Sequence, residues 1–208
     1  MGISYIKRIS EDALLGLWQV TETWEEMRNL LHLSVADQKV FDEKKTDIRK
    51  QEWLACRVLL NNMMKRNVEI GYDDHRKPFI LGDETSISMS HSGSYVTVYL
   101  DKNNPVGIDI QKLKLSIAKG ADYFLHETEM DWADLENNVL LHTIWSAKES
   151  VFKYAGNLDL DLKKHILTNS FSGNQKGLIE VNLINQNRSE MVRVQYENFD
   201  DYVLTWTI

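Results

Sequence analysis

The chain has 208 residues, 43% of them hydrophobic and 26% charged, with two prolines and ten glycines; this is the composition of a folded protein and excludes a fibrous or disordered one. Its formal net charge of -7 argues against a general nucleic-acid binder, so an anionic ligand must be met by local cations or a metal. One cysteine, Cys56, excludes an internal disulfide and fits a reducing compartment. No apolar run approaches the roughly 20 residues of a membrane span and no secretory signal is visible, so the expectation is a soluble cytoplasmic protein.

Taken in chain order, Leu14 to Val20 reads as a strand. Thr23 with Glu25 and Glu26 marks a helix start near Trp24. Val35 to Lys45 reads as a charged helix, and Ile48 to Lys65 as a stronger one. In the latter, Trp53, Cys56, Leu59, Leu60 and Met63 recur at spacings of three and four, on one face. Gly71 to Pro78 is rich in turn residues. Three short strands follow, Ile87 to Ser90, Tyr95 to Leu100 and Val106 to Ile110, and the turns between them predict antiparallel pairing. Ile117 to Leu125 and Asn138 to Ala155 read as helices. Leu178 to Leu183, Met191 to Tyr196 and Tyr202 to Thr207 read as strands. Helices followed by a small sheet, twice, predict an α+β fold of two similar halves, residues 1–104 and 105–208, sharing a site in the cleft between them.

Four stretches carry candidate chemistry. In Val106 to Gln111, period-two alternation sets Val106, Ile108 and Ile110 on one face and Gly107, Asp109 and Gln111 on the other. That second face suits the edge of a magnesium site, which takes few carboxylates and completes its shell with water and phosphate oxygens. It equally suits an aspartate that ends a strand and bonds local backbone. In Trp145 to Lys153, Glu149 and Lys153 stand at i, i+4. They form either a surface ion pair worth about 0.3–0.5 kcal/mol or a metal-binding base with a phosphate-binding lysine at a cleft lip. Ser88 to Gly93 sets Ser90 and His91 beside a glycine, fitting phosphate contacts or a polar turn and lacking the G-x-S-x-G elbow of a hydrolase. Arg76-Lys77-Pro78 offers two cations before a proline. The other histidines show no metal-ligand spacing.

In order, these stretches resemble the signature of the Sfp-type 4′-phosphopantetheinyl transferase family: Lys77-Pro78, then Ser90-His91, then Gly107-Ile108-Asp109-Ile110-Gln111, then Trp145-Ser146-Ala147-Lys148-Glu149-Ser150-Val151-Phe152-Lys153. Phe124 to Glu129 is similar to the family's F-F-x-x-x-E segment, and Glu52 to Arg57 to its E-W-x-x-x-R helix. The resemblance implies a pseudo-two-fold α+β fold and a monomeric enzyme that moves the phosphopantetheine arm of coenzyme A to a serine of an apo acyl or peptidyl carrier protein. It implies magnesium on Asp109 and Glu149, with Gln111 in the place of a third ligand. Glu149 would be the base and Lys153 would attend the leaving phosphate. Lys77, Ser90, His91 and Lys153 would contact coenzyme A, with Arg49 and Arg57 toward its 3′-phosphate or adenine end. The family's glutamate is replaced here by Gln111, which also admits a transferase-fold protein that binds coenzyme A or a carrier without turnover. Lys112, Lys114 and Lys119 are candidates for carrier docking or are simply solvated.

Overall fold

In this computed structural model residues 2–185 and 188–208 are described. The chain forms two compact units, one of Met1–Asp73 with Pro78–Asn104, the other of Asp74–Lys77 with Pro105–Ile208. Both are α+β, as expected from the sequence.

The first unit holds strands β1 (Ile3–Arg8), β2 (Ala13–Gln19), β3 (Ile70–Tyr72), β4 (Pro78–Ile80), β5 (Ser86–Ser92) and β6 (Tyr95–Asp101). They form one antiparallel sheet in the order β1-β2-β6-β5-β4-β3. Its helices are α1 (Trp24–Arg28), α2 (Val35–Asp42) and α3 (Asp47–Met64). α1 begins with a full capping box between Thr23 and Glu26. α3 begins at Thr46, whose hydroxyl accepts from the Arg49 amide, and ends at Lys65 in the left-handed conformation. Its apolar face packs Leu54, Leu59, Leu60 and Met63 against Trp18, Val96 and Val98 of the sheet.

The second unit holds β7 (Ile108–Lys112), β8 (Ile166–Thr168), β9 (Lys176–Asn185), β10 (Arg188–Phe199) and β11 (Tyr202–Thr207), antiparallel in the order β7-β11-β10-β9-β8. Its helices are α4 (Ala121–Phe124), α5 (Glu127–Met130), α6 (Asn138–Ala155) and α7 (Leu162–His165). α6 is the long one. Asn137 caps its start by accepting from the Leu140 amide, and Gly156, at φ 62°, ends it. Ala147 and Val151 pack on Ile166, Ile179, Val181 and Val194, while Leu141 and Ile144 pack on Phe124 and Leu125.

Four expectations change. β7 does not continue the antiparallel run of β5 and β6; it pairs with β11, Asp109 opposite Thr205. The chain leaves β6 in a tight turn, where the Asp101 carboxylate accepts from the Asn103 and Asn104 amides. The turn-rich stretch 71–78 has strand ends, with Tyr72 paired to Pro78 at the first position of β4, where its missing N–H is tolerated. The expected helix Ile117 to Leu125 breaks at Gly120 into a 3₁₀ turn, Ile117–Gly120, and α4. The helix from Val35 stops at Asp42 rather than Lys45, with Glu43 as its C-cap.

Candidate active site

The site begins with a glycine. A Cβ on Gly107 would lie 1.8 Å from the Ser150 carbonyl oxygen, so only glycine lets the chain entering β7 lie against the backbone of α6. That approach delivers Asp109, two residues on, to the face of α6 that bears Ser146, Glu149, Ser150 and Lys153. These four are spaced i, i+3, i+4, i+7 and so share one side of the helix.

Asp109 is 2% exposed. Its Oδ1 accepts from Lys153 Nζ at 2.7 Å. Its Oδ2 accepts from Ser146 Oγ at 3.0 Å and from Gln111 Nε2 at 2.9 Å. Such donors replace the water that a buried carboxylate loses. Lys153 also donates to the Ile108 carbonyl at 3.0 Å, which leaves its third N–H without an acceptor among the described residues.

Glu149 differs from Asp109. It is half-buried, and among the described residues no hydrogen bond reaches its carboxylate. Burial raises its pKa above 4.5, the Asp109 charge raises it further, and the Lys153 ammonium opposes them. Two carboxylates acting on each other, one of them unpartnered, form a donor set for a hard cation. Among the described residues no group of three or more His, Cys, Asp or Glu converges to hold a metal, so an ion here would depend on Asp109 and Glu149, with water and substrate oxygens as its other ligands.

Lys77, within the same unit, donates to the Tyr154 carbonyl near the end of α6 at 2.7 Å. The other expected coenzyme A residues belong to the first unit. There His91 Nδ1 lies 3.3 Å from Glu52, which also pairs with Arg49 at 3.0 Å. Ser90 is buried in β5. Arg57 is buried as well; its guanidinium stacks 3.4 Å from the Trp53 ring centre and pairs with Asp37 at 3.1 Å. The structure thus joins Asp109, Gln111, Glu149 and Lys153 in one cluster, His91, Glu52 and Arg49 in another, and commits Arg57 to Asp37.

Sequence reasoning did not assign a role to Lys148 or Glu129. Lys148 is fully buried, and its three N–H groups go to the Phe124 carbonyl (2.6 Å), Glu129 Oε2 (2.6 Å) and the Leu162 carbonyl (3.0 Å). Glu129 also accepts from the His126 amide and from both the amide and hydroxyl of Thr168. The pair ties α4, α5, α7 and β8 to α6 and so fixes the helix that carries Glu149. A lysine inside an otherwise apolar helical face was the available signal.

Comparison with known proteins follows the same residues. Residues 105–207 match the ACPS family, the 4′-phosphopantetheinyl transferase superfamily. That match is carried by residues 105–207, just under half of the chain. It is 30% identical to the 4′-phosphopantetheinyl transferase gsp of Aneurinibacillus migulanus over 68% of this chain and 58% of that protein. It is 29% identical to 4′-phosphopantetheinyl transferase AcpT of Salmonella typhi over 52% of this chain and 60% of the relative. It is 32% identical to a 4′-phosphopantetheinyl transferase of Bacillus subtilis over 43% and 42% respectively. The matched part thus spans 60% or less of these relatives' length. Among the described residues no helix is long and apolar enough to cross a membrane.

Proposed function

We propose that the protein transfers the 4′-phosphopantetheine arm of coenzyme A to a serine of an apo acyl or peptidyl carrier protein, with magnesium, releasing adenosine 3′,5′-bisphosphate. The observation that supports this most is the meeting of Asp109, Glu149 and Lys153, with Glu149 half-buried, unpartnered and raised in pKa. In the step, the serine oxygen bonds to the phosphorus that carries pantetheine, and the bond from that phosphorus to the bridging oxygen of the pyrophosphate breaks. Glu149 takes the serine proton. Lys153, with an N–H to spare, meets the charge that builds on the departing oxygen. Magnesium would be held by Asp109 and Glu149 and would supply counter-charge to the phosphates.

Lys77, Ser90, His91 and Arg49 are assigned to coenzyme A on the family resemblance. Arg57 would reach an anion only by leaving Asp37. Lys114 and Lys119 are exposed, and Lys112, also exposed, pairs with Asp201 at 3.3 Å. We assign these lysines to docking of an acidic carrier, which added salt should weaken. The single cysteine supports a cytosolic setting.

The test is a mass measurement. Apo carrier, coenzyme A and magnesium should give a carrier heavier by one phosphopantetheine, and Asp109→Ala should abolish the shift. No shift with acyl and peptidyl carriers alike would overturn the proposal. Gln111 favours a second reading, a protein that binds coenzyme A or a carrier without turnover, because its amide, not a carboxylate, stands beside Asp109. Gln111→Glu separates the two. A large gain from near-zero activity supports the second reading, and little change supports a working site of two carboxylates.

A further inference from the structure

Behind Asp109 lies a set of hydroxyls that the transfer chemistry does not touch. Thr205, its cross-strand partner on β11, places Oγ1 3.0 Å from Ser146 Oγ. Ser150 Oγ lies 2.7 Å from the same Thr205 oxygen and 3.0 Å from the Thr205 carbonyl. Ser146, Ser150 and Thr205 are all completely buried.

The proton of Ser146 is fixed by its carboxylate partner. An ionised carboxylate only accepts, so the single hydroxyl proton of Ser146 points at Asp109 Oδ2. Ser146 Oγ is then an acceptor toward Thr205, whose proton lies between that oxygen and the Ser146 carbonyl at 2.8 Å. Ser150 in turn donates toward Thr205. Of the three hydroxyls, Ser146 bonds Asp109, and Thr205 lies against its oxygen. Mid-helix hydroxyls usually bond back to the carbonyl four residues earlier. Thr143 of the same helix does so, to Val139 at 2.8 Å, whereas Ser146 is directed to Asp109 and Thr205.

We infer that Ser146, backed by Thr205, is a positioning residue for Asp109. With Gln111 it holds Oδ2, and Ser146 is the partner that anchors this oxygen to the helix, so that Oδ1 faces Lys153 and the cation side. The inference rests on the proposed transferase site and adds to it the residue that orients its buried carboxylate. Partners of this kind, lying behind a metal ligand, are worth about 10- to 100-fold in metal affinity.

The test measures Mn²⁺ binding to the protein alone by electron paramagnetic resonance, beside transfer as a function of magnesium. Ser146→Ala places the best helix former in α6, and Thr205→Val keeps the shape of a buried strand residue. Ser146→Ala should weaken Mn²⁺ binding by about 10- to 100-fold and raise the magnesium needed for half-maximal transfer by the same factor. The rate at saturating magnesium should recover. Thr205→Val should shift both in the same direction, and it keeps the test open if Ser146→Ala fails to fold. Wild-type Mn²⁺ affinity in both variants, or a loss of rate that excess magnesium does not restore, would overturn the inference alone. A wild-type protein that neither binds Mn²⁺ nor transfers would overturn the proposed function and this inference with it.

Discussion

α3 and α6 are both 18 residues long, both end in a left-handed residue, and both lie on an antiparallel sheet with a glycine close against the helix. The glycines differ in what they face. A Cβ on Gly16 of β2 would meet the ends of Met63 and Leu59, at 2.6 and 3.0 Å, whereas one on Gly107 would meet the helix backbone itself. In the first unit the space between helix and strand is therefore filled with apolar side chains. In the second, strand and helix are too close for them, and the short hydroxyls of Ser146, Ser150 and Thr205 fill the gap. Through Ser146 this set supplies a buried carboxylate with a donor that an apolar gap would not offer. Each helix also buries a cation, but Arg57 retains a partly wet partner in Asp37 while Lys148 and Glu129 are 0% and 1% exposed at their side chains. The lesson is local: a backbone contact in place of a side-chain contact turns a structural helix into one that can carry a site.

The largest expected effect that would break this comparison is at Glu149, for which α3 has no equivalent. Glu149→Gln should lower transfer by about 10²–10⁴. It should also stabilise the metal-free fold at neutral pH. A carboxyl whose folded pKa is raised destabilises the native state above that pKa, and the penalty disappears as pH falls to its ordinary 4.5. The variant's advantage in melting temperature should therefore be greatest near pH 7 and vanish below about pH 4.5. Retained transfer with no gain in stability would make Glu149 an ordinary surface residue.

Next in size is the contrast of buried cations. Lys148→Met strands Glu129 and should cost about 3–5 kcal/mol in urea unfolding. Arg57→Met should cost less, because Asp37 can turn to water and the methionine can still cover Trp53. Equal losses would erase the distinction between a dry pair and a wet one. Smaller again is the pair of glycines. Gly107→Ala forces backbone apart from backbone and should cost at least about 1–3 kcal/mol, with loss of transfer as Asp109 moves. Gly16→Ala presses on side chains alone, Met63 and Leu59, and should lie at or below the bottom of that range.

What could be read from the sequence follows the range of the forces involved. α6 was legible to the residue at both ends, Asn138 and Ala155, and α3 to within one, since helix periodicity and caps are written locally. Asp109, Glu149 and Lys153 were legible through strand alternation, helix spacing and the order of the motifs. β1 was missed because its alternation mixes Lys7 and Arg8 with Ile3 and Tyr5 and buries neither face fully. The pairing of β7 with β11 was missed because its partner lies almost a hundred residues on, and nothing local marks which strand will take that edge. The pairings Lys148–Glu129 and Ser146–Thr205 were missed for the same reason: each joins α6 to a segment distant in sequence.

The smallest expected effect concerns a third buried polar group of α6 that has no counterpart in α3, His142. Its Nδ1 lies 2.8 Å from the Asn138 carbonyl, to which it can only donate, so Nε2 is the acceptor for the Lys114 amide at 3.1 Å. The ring therefore holds the chain just beyond β7 in its neutral form. Burial lowers its pKa below 6.5, the Lys114 charge lowers it further, and the bond to Asn138 works against both. A histidine with a depressed folded pKa binds fewer protons folded than unfolded. The stability it contributes is thus present above pH 6.5 and is lost as pH falls from 6.5 through the folded value. The slope cannot exceed that of one proton, about 1.4 kcal/mol per pH unit. In urea unfolding, the difference between wild type and His142→Gln should be constant above that pH and shrink below it. A difference that stays constant down to about pH 5 would mean that His142 does not hold Lys114 through an unprotonated Nε2, and the polar packing of α6 would then consist of the hydroxyls and the Lys148 pair without it.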